Sequence, residues 1–133
     1  NRERAALVLS NYCIDREVYK ELCEPIFFDN GDALLYNTRG ILIFNEKKLK
    51  ILYIKKEYRN SDEGSYLISE MILNLQKSGI KEIFALCPVG VLEFYIKNGF
   101  KEHGKRFKNY ANIKINLDEY WSNKKRNFFT IEW

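Results

Sequence analysis

Between Leu49 and Phe100 the hydrophobic pattern changes period twice, and few folds accommodate that change. An apolar run holding Ile51, Leu52 and Ile54 leads into Tyr58-Arg59 and a short polar loop. Gly64-Ser65-Tyr66 then opens a segment in which Leu67, Ile68, Met71, Ile72 and Leu75 recur at helical spacing. Ser78-Gly79 closes the helix, and Ile80 to Cys87 is a second apolar run. Strand, helix and strand in that order predict a parallel pair joined by a right-handed crossover. The helix then starts where the first strand ends, with its unpaired N–H groups facing outward. By geometry that is an anion site.

The flanks extend the sheet. Ala33 to Tyr36, Ile41 to Phe44 and Leu49 to Lys55 read as an antiparallel meander, cut by Thr38-Arg39-Gly40 and by Asn45 to Lys48. Ahead of it, Arg2 to Tyr12 reads as a helix. Asp15 is placed to cap a second helix, which Pro25 would stop. After Phe100, Lys101 to Phe107 and Asn112 to Leu117 are expected to pair antiparallel, with Asp118 to Lys125 as a short helix. Phe128 to Trp133 is an aromatic, β-prone end that must be paired or covered. It would fill an open sheet edge or exchange with a second copy, making a homodimer. A chain of 133 residues with 46% hydrophobic content supports one domain over residues 1–133.

Composition narrows the partners. The net charge of +4 is spread along the chain, which suits a small polyanion and does not argue for nucleic acid. No apolar run approaches membrane-spanning length and no leader pattern is present, so a cytoplasmic protein without a membrane partner is expected. The first residue is Asn1 rather than Met, which leaves a trimmed or a lost start open. Cys13, Cys23 and Cys87 have no paired spacing and read as buried reduced thiols. No metal-ligand set, Ser-His-Asp arrangement or P-loop is present.

The stretch resembles the GNAT superfamily of acyl-CoA-dependent N-acyltransferases. That family's signature, Q/R-x-x-G-x-G/A at a strand-to-helix junction, is met by Arg59 at its first position and Gly64 at its last, with Asp62 where the middle glycine is usual. A second signature, an aromatic helix ending in Gly-Phe, is met by Phe94-Tyr95-Ile96-Lys97-Asn98-Gly99-Phe100. The resemblance runs from about Asp32 to Leu117. It implies an α/β fold, a mixed twisted sheet of about six or seven strands flanked by helices, with the family's first strand missing or replaced. It also implies acetyl-CoA as acyl donor and a primary amine of unknown identity as acceptor, joined in a ternary complex.

On this resemblance Arg59, Asn60, Ser61, Asp62, Glu63, Gly64, Ser65 and Tyr66 form a cradle for the CoA diphosphate. A backbone N–H at Ile54 would hold the oxyanion, and Tyr95 would protonate the departing thiolate. Each has a plainer reading. Ser61 or Asp62 suits a helix cap, Ile54 a buried strand position, and Tyr95 a packing stripe with Leu92, Ile96 and Phe100. Asp62 would either accept the N–H bonds a phosphate needs and repel it by about 1–4 kcal/mol, or turn outward and cost little. Glu46, Glu57 and His103 are open as general base, each more simply a solvated residue. The alternative function is a non-catalytic domain of the same fold that senses CoA or binds a protein partner.

Overall fold

The computed structural model describes residues 31–122. The expectations for Arg2 to Tyr12, the Asp15 cap, Cys13, Cys23 and the Phe128 to Trp133 strand lie outside the described residues, as does what precedes the first described strand. In chain order the elements are β1 (Ala33–Tyr36), β2 (Gly40–Phe44), β3 (Lys48–Ile54), α1 (Glu63–Lys77), β4 (Glu82–Pro88), α2 (Leu92–Lys97), β5 (Lys101–Glu102) and β6 (Tyr110–Asn116). Single 3-10 turns at Lys56–Tyr58 and Val89–Val91 precede the two helices, and a further helix occupies 117–122. These six strands form one sheet in the order β1-β2-β3-β4-β6-β5. Only β3 and β4 run parallel, joined by α1 as the crossover.

The helix α1 packs on the sheet because its apolar residues fall on one side. Gly64, Leu67, Ile68, Met71, Ile72 and Leu75 are all buried. The last five join Leu42, Phe44, Leu49, Ile83, Cys87, Leu92, Phe100, Ile113 and Ile115 in one core. Each large side chain withdrawn this way is worth roughly 1.5–3 kcal/mol. Two caps end the helices in the same manner. Gly79 N–H donates to Gln76 O (3.0 Å) and Ile80 N–H to Leu75 O (3.1 Å), with Gly79 at φ 80°. Gly99 N–H donates to Ile96 O and Phe100 N–H to Tyr95 O (both 3.0 Å), with Gly99 at φ 98°. Both are Schellman motifs, and a glycine takes the left-handed position in each. The Gly-Phe ending of the aromatic helix is thus a chain reversal, with Phe100 driven into the core at 1% exposure.

Expected and observed strands differ at one place. Lys101 to Phe107 is not a continuous strand. Only Lys101–Glu102 pair with β6, and beyond Gly104 a single bridge joins Phe107 to Tyr110. The glycine takes φ 72°, and Arg106 turns back in a two-pronged ion pair on Glu102 (2.6 and 3.2 Å). That local closure bends the chain out of register with β6 before the tight return at Lys108, itself at φ 54°.

Candidate functional site: an opening between two parallel strands

The ladder between β3 and β4 has only two residue pairs, Lys48↔Phe84 and Leu49↔Ala85. Beyond Leu49 the strands separate, although β3 continues to Ile54 and β4 to Pro88. The cause is local. The β2–β3 register jumps from Ile43↔Ile51 to Phe44↔Leu49, which leaves Lys50 as a bulged extra residue. A bulge bends and twists its strand, and this one falls where the parallel ladder stops. The Lys50 ammonium reaches Asp32 at 2.6 Å, and Asn45 Nδ2 donates to the other Asp32 oxygen at 3.1 Å. The Asp32 side chain is only 2% exposed, so the bulge is anchored by a largely desolvated ion pair.

Backbone groups line the opening. Lys55 N–H donates to Arg39 O on the β2 side. Antiparallel strands alternate the direction of their backbone groups, so Leu52 and Ile54 point theirs away from β2, toward β4. On β4, Phe84 N–H donates to Lys47 O and Val89 N–H to Asn109 O. By the same alternation Leu86 faces β3. The Ile54 N–H is therefore directed into the space between the separating strands.

The loop after β3 folds back on itself. Arg59 Nε donates to Ile54 O at 2.9 Å, and its guanidinium lies 5.3 Å over the Tyr53 ring. Ser61 Oγ donates to Tyr58 O, and Asn60 takes φ 61°, a left-handed conformation that asparagine tolerates. Asp62 is the residue before the first turn of α1, yet its side chain makes no capping hydrogen bond. Of the two readings of that carboxylate, the geometry has the one in which it does not compete for the helix amides. Tyr66 N–H is already bonded to Asp62 O, and the exposed Tyr66 phenol pairs with Glu70, which raises its pKa. The amides of Glu63, Gly64 and Ser65 are the helix-start donors left over. Gly64 acts in a direction the sequence does not show. A Cβ there would lie 2.9 Å from Phe94 Cζ and 3.7 Å from Ile54 Cγ1. The glycine lets the start of α1 close on α2 and on the end of β3.

That contact brings the aromatic helix to the opening. Phe94 meets Tyr95 edge-on at 5.1 Å, and Tyr95 meets Phe100 edge-on at 5.5 Å. Burial, and secondarily the Cys87 thiol on β4, push the Tyr95 hydroxyl well above the usual tyrosine range. Burial also raises the Cys87 thiol, and this cysteine is free and buried as expected. No described hydrogen bond engages the Tyr95 hydroxyl. The packing stripe forms in part: Leu92 and Phe100 are buried, but Ile96, although within α2, is 48% exposed. Of the base candidates, Glu46 and Glu57 are exposed, and His103 packs against Phe84 at 5.4 Å. Among the described residues no group of acidic, histidine or cysteine side chains is arranged for a metal, and no helix is long and apolar enough to cross a membrane.

A parallel pair that opens past a bulge, a helix starting at that opening and a short aromatic helix closed by Gly-Phe together define the acyl-CoA N-acyltransferase architecture. The comparison with solved structures agrees. The chain is similar to the PaiA N-acetyltransferase from Thermoplasma acidophilum in complex with coenzyme A, at 26% identity and TM-score 0.53 over 59% of this chain and 53% of that one. A GNAT-family acetyltransferase from Staphylococcus aureus Mu50 matches at 21% identity and TM-score 0.54, over 61% of each chain. A structure from Bacillus anthracis strain Ames, provisionally named a streptothricin acetyltransferase and solved with acetyl coenzyme A, matches at 17% identity and TM-score 0.60, over 71% of this chain and 70% of that one. The chain thus spans little more than half to three fifths of the length of the first two structures. Neither a family model nor a curated protein sequence matches it. Its fold is that of these GNAT-family acetyltransferases.

Proposed function

We propose that the chain is an acyl-CoA-dependent N-acyltransferase that moves an acetyl group from acetyl-CoA to a primary amine. The observation that carries this reading is the two-pair β3–β4 ladder, which opens directly beneath the free amides of α1. The coenzyme A and acetyl coenzyme A bound to two of the similar structures support the choice of donor.

In this reading the diphosphate rests on the amides of Glu63, Gly64 and Ser65, where the helix dipole favours an anion. Arg59, Asn60, Ser61 and Asp62 shape the approach, and the pantetheine arm enters between β3 and β4. The amine nitrogen attacks the thioester carbonyl carbon directly, in a ternary complex. The oxygen takes the negative charge and accepts the Ile54 N–H. Collapse breaks the carbon–sulfur bond, and the thiolate takes the Tyr95 proton. The amine releases its surplus proton to water, from which Tyr95 is reprotonated. Because burial raises its pKa, Tyr95 holds its proton throughout the neutral range, and the same shift makes it a weaker acid toward the thiolate.

Calorimetric titration of CoA and acetyl-CoA into protein freed of co-purified ligand tests the donor. Micromolar binding supports the reading. No heat at millimolar ligand overturns it and leaves the non-catalytic, partner-binding alternative. Tyr95→Phe then tests the acid: turnover should fall by about 10²-fold or more with CoA affinity nearly unchanged. Unaltered turnover would return Tyr95 to a packing role.

A further inference from the structure

The turn between β1 and β2 reaches across the sheet to the start of α1. Asn37 Oδ1 accepts the N–H groups of Arg39 (2.7 Å) and Gly40 (3.0 Å), which fixes the turn. Arg39 O accepts Lys55 N–H at 2.8 Å, the first residue past β3. The Arg39 guanidinium lies 5.3 Å over the Tyr58 ring and forms an ion pair with Glu63. Glu63 is the first residue of α1, its side chain is 18% exposed, and its own amide is one of the three unpaired donors of the helix start. One arginine thus contacts both ends of the 55–62 loop and pairs with the carboxylate of the helix's first residue.

We propose that Arg39 is a positioning residue for the anionic end of the donor, acting by neutralising Glu63 at the start of α1. This rests on the acyl-CoA reading above. A diphosphate beside an uncompensated Glu63 would meet repulsion on the side the helix dipole makes attractive. Arg39 therefore adds affinity only for donors that carry phosphate. It adds none for the pantetheine arm, which lies between β3 and β4.

The test compares acetyl-CoA with S-acetyl-pantetheine, which lacks the diphosphate, on four proteins: wild type, Arg39→Gln, Glu63→Gln and the double variant. Arg39→Gln should weaken acetyl-CoA binding about 3–10-fold at low salt, less at 0.5 M salt, and leave S-acetyl-pantetheine unchanged. The double variant should recover wild-type affinity, and Glu63→Gln alone should bind acetyl-CoA at least as well as wild type. Circular dichroism melts confirm that each variant is folded. Equal loss for both thioesters would overturn the proposal, since loop geometry would then be the cause. So would failure of Glu63→Gln to rescue Arg39→Gln, because Arg39 would then act without Glu63. Wild-type protein that binds neither thioester would overturn the acyl-transfer reading itself, an outcome separate from both.

Discussion

A carboxylate at the start of a helix either satisfies the amides there or repels the anion that would. Asp62 does not satisfy them, since its side chain makes no cap, and it has no ion-pair partner among the described residues. What remains is its charge. Asp62→Gly is expected to tighten CoA binding up to about tenfold at low salt, through relief of roughly 1–1.4 kcal/mol. The gain should shrink as salt rises, because an exposed charge is screened within about 10 Å at 0.1 M. Titration at two ionic strengths checks it, and a salt-independent gain would mean that the glycine acts through loop conformation. Glu63, one residue on, differs because Arg39 covers it. Adjacent acids in the sequence therefore have different consequences, and only the arginine 24 positions earlier separates them.

At the scale of elements, α2 is much the shorter of the two helices α1 and α2. Its six residues would not hold a helix in isolation. Three things keep it in place. Phe100 is buried, Asn98 Nδ2 donates to Phe94 O (2.9 Å), and Gly99 makes the left-handed reversal. A side chain at Gly99 would suffer the positive φ and press within 3.3 Å of Ile115 Cδ1. Gly99→Ala should therefore cost about 1–2 kcal/mol in urea unfolding. Because the cap holds the helix turn that carries Tyr95, turnover should fall further than stability alone explains. A variant that keeps full stability would show that the reversal tolerates a Cβ. The partner strand β3 is set in a similar way, by a bulge whose extra residue, Lys50, is tied to Asp32.

At the scale of the whole molecule, the opening is a defect in an otherwise continuous sheet. Backbone donors at Leu52 and Ile54, beyond the last parallel pair, lack the neighbouring strand that a complete parallel ladder would supply. A ligand that hydrogen-bonds there completes the sheet and ties its two halves together. CoA should therefore raise the melting temperature. At a hundred times its dissociation constant, mass action adds about 2.7 kcal/mol, or roughly 10 °C for a domain of this size. A scan with CoA against adenosine 3′,5′-bisphosphate, which lacks the pantetheine arm, measures the share owed to the sheet. Equal shifts from both ligands would place all the stabilisation at the anionic end.

The sequence by itself determined which elements form and in what order. Hydrophobic periodicity and glycine placement are local properties, so the stripe of α1, the meander and the two glycine-capped helix ends are legible residue by residue. Its resemblance to the two family signatures, rather than any local pattern, pointed to Arg59, Gly64 and Tyr95. The tertiary structure decided everything that depends on two distant segments meeting. The separation of β3 from β4 follows from a bulge at Lys50 that no local pattern marks. The close approach of Gly64 to Phe94 and the cover that Arg39 gives Glu63 join residues 30 and 24 positions apart. Lys101 to Phe107 marks the same boundary from the other side. Its composition favours a strand, but the Glu102–Arg106 ion pair and the Gly104 reversal withdraw it from β6. Local propensity is a preference of a fraction of a kcal/mol per residue, and a few tertiary contacts are enough to reverse it.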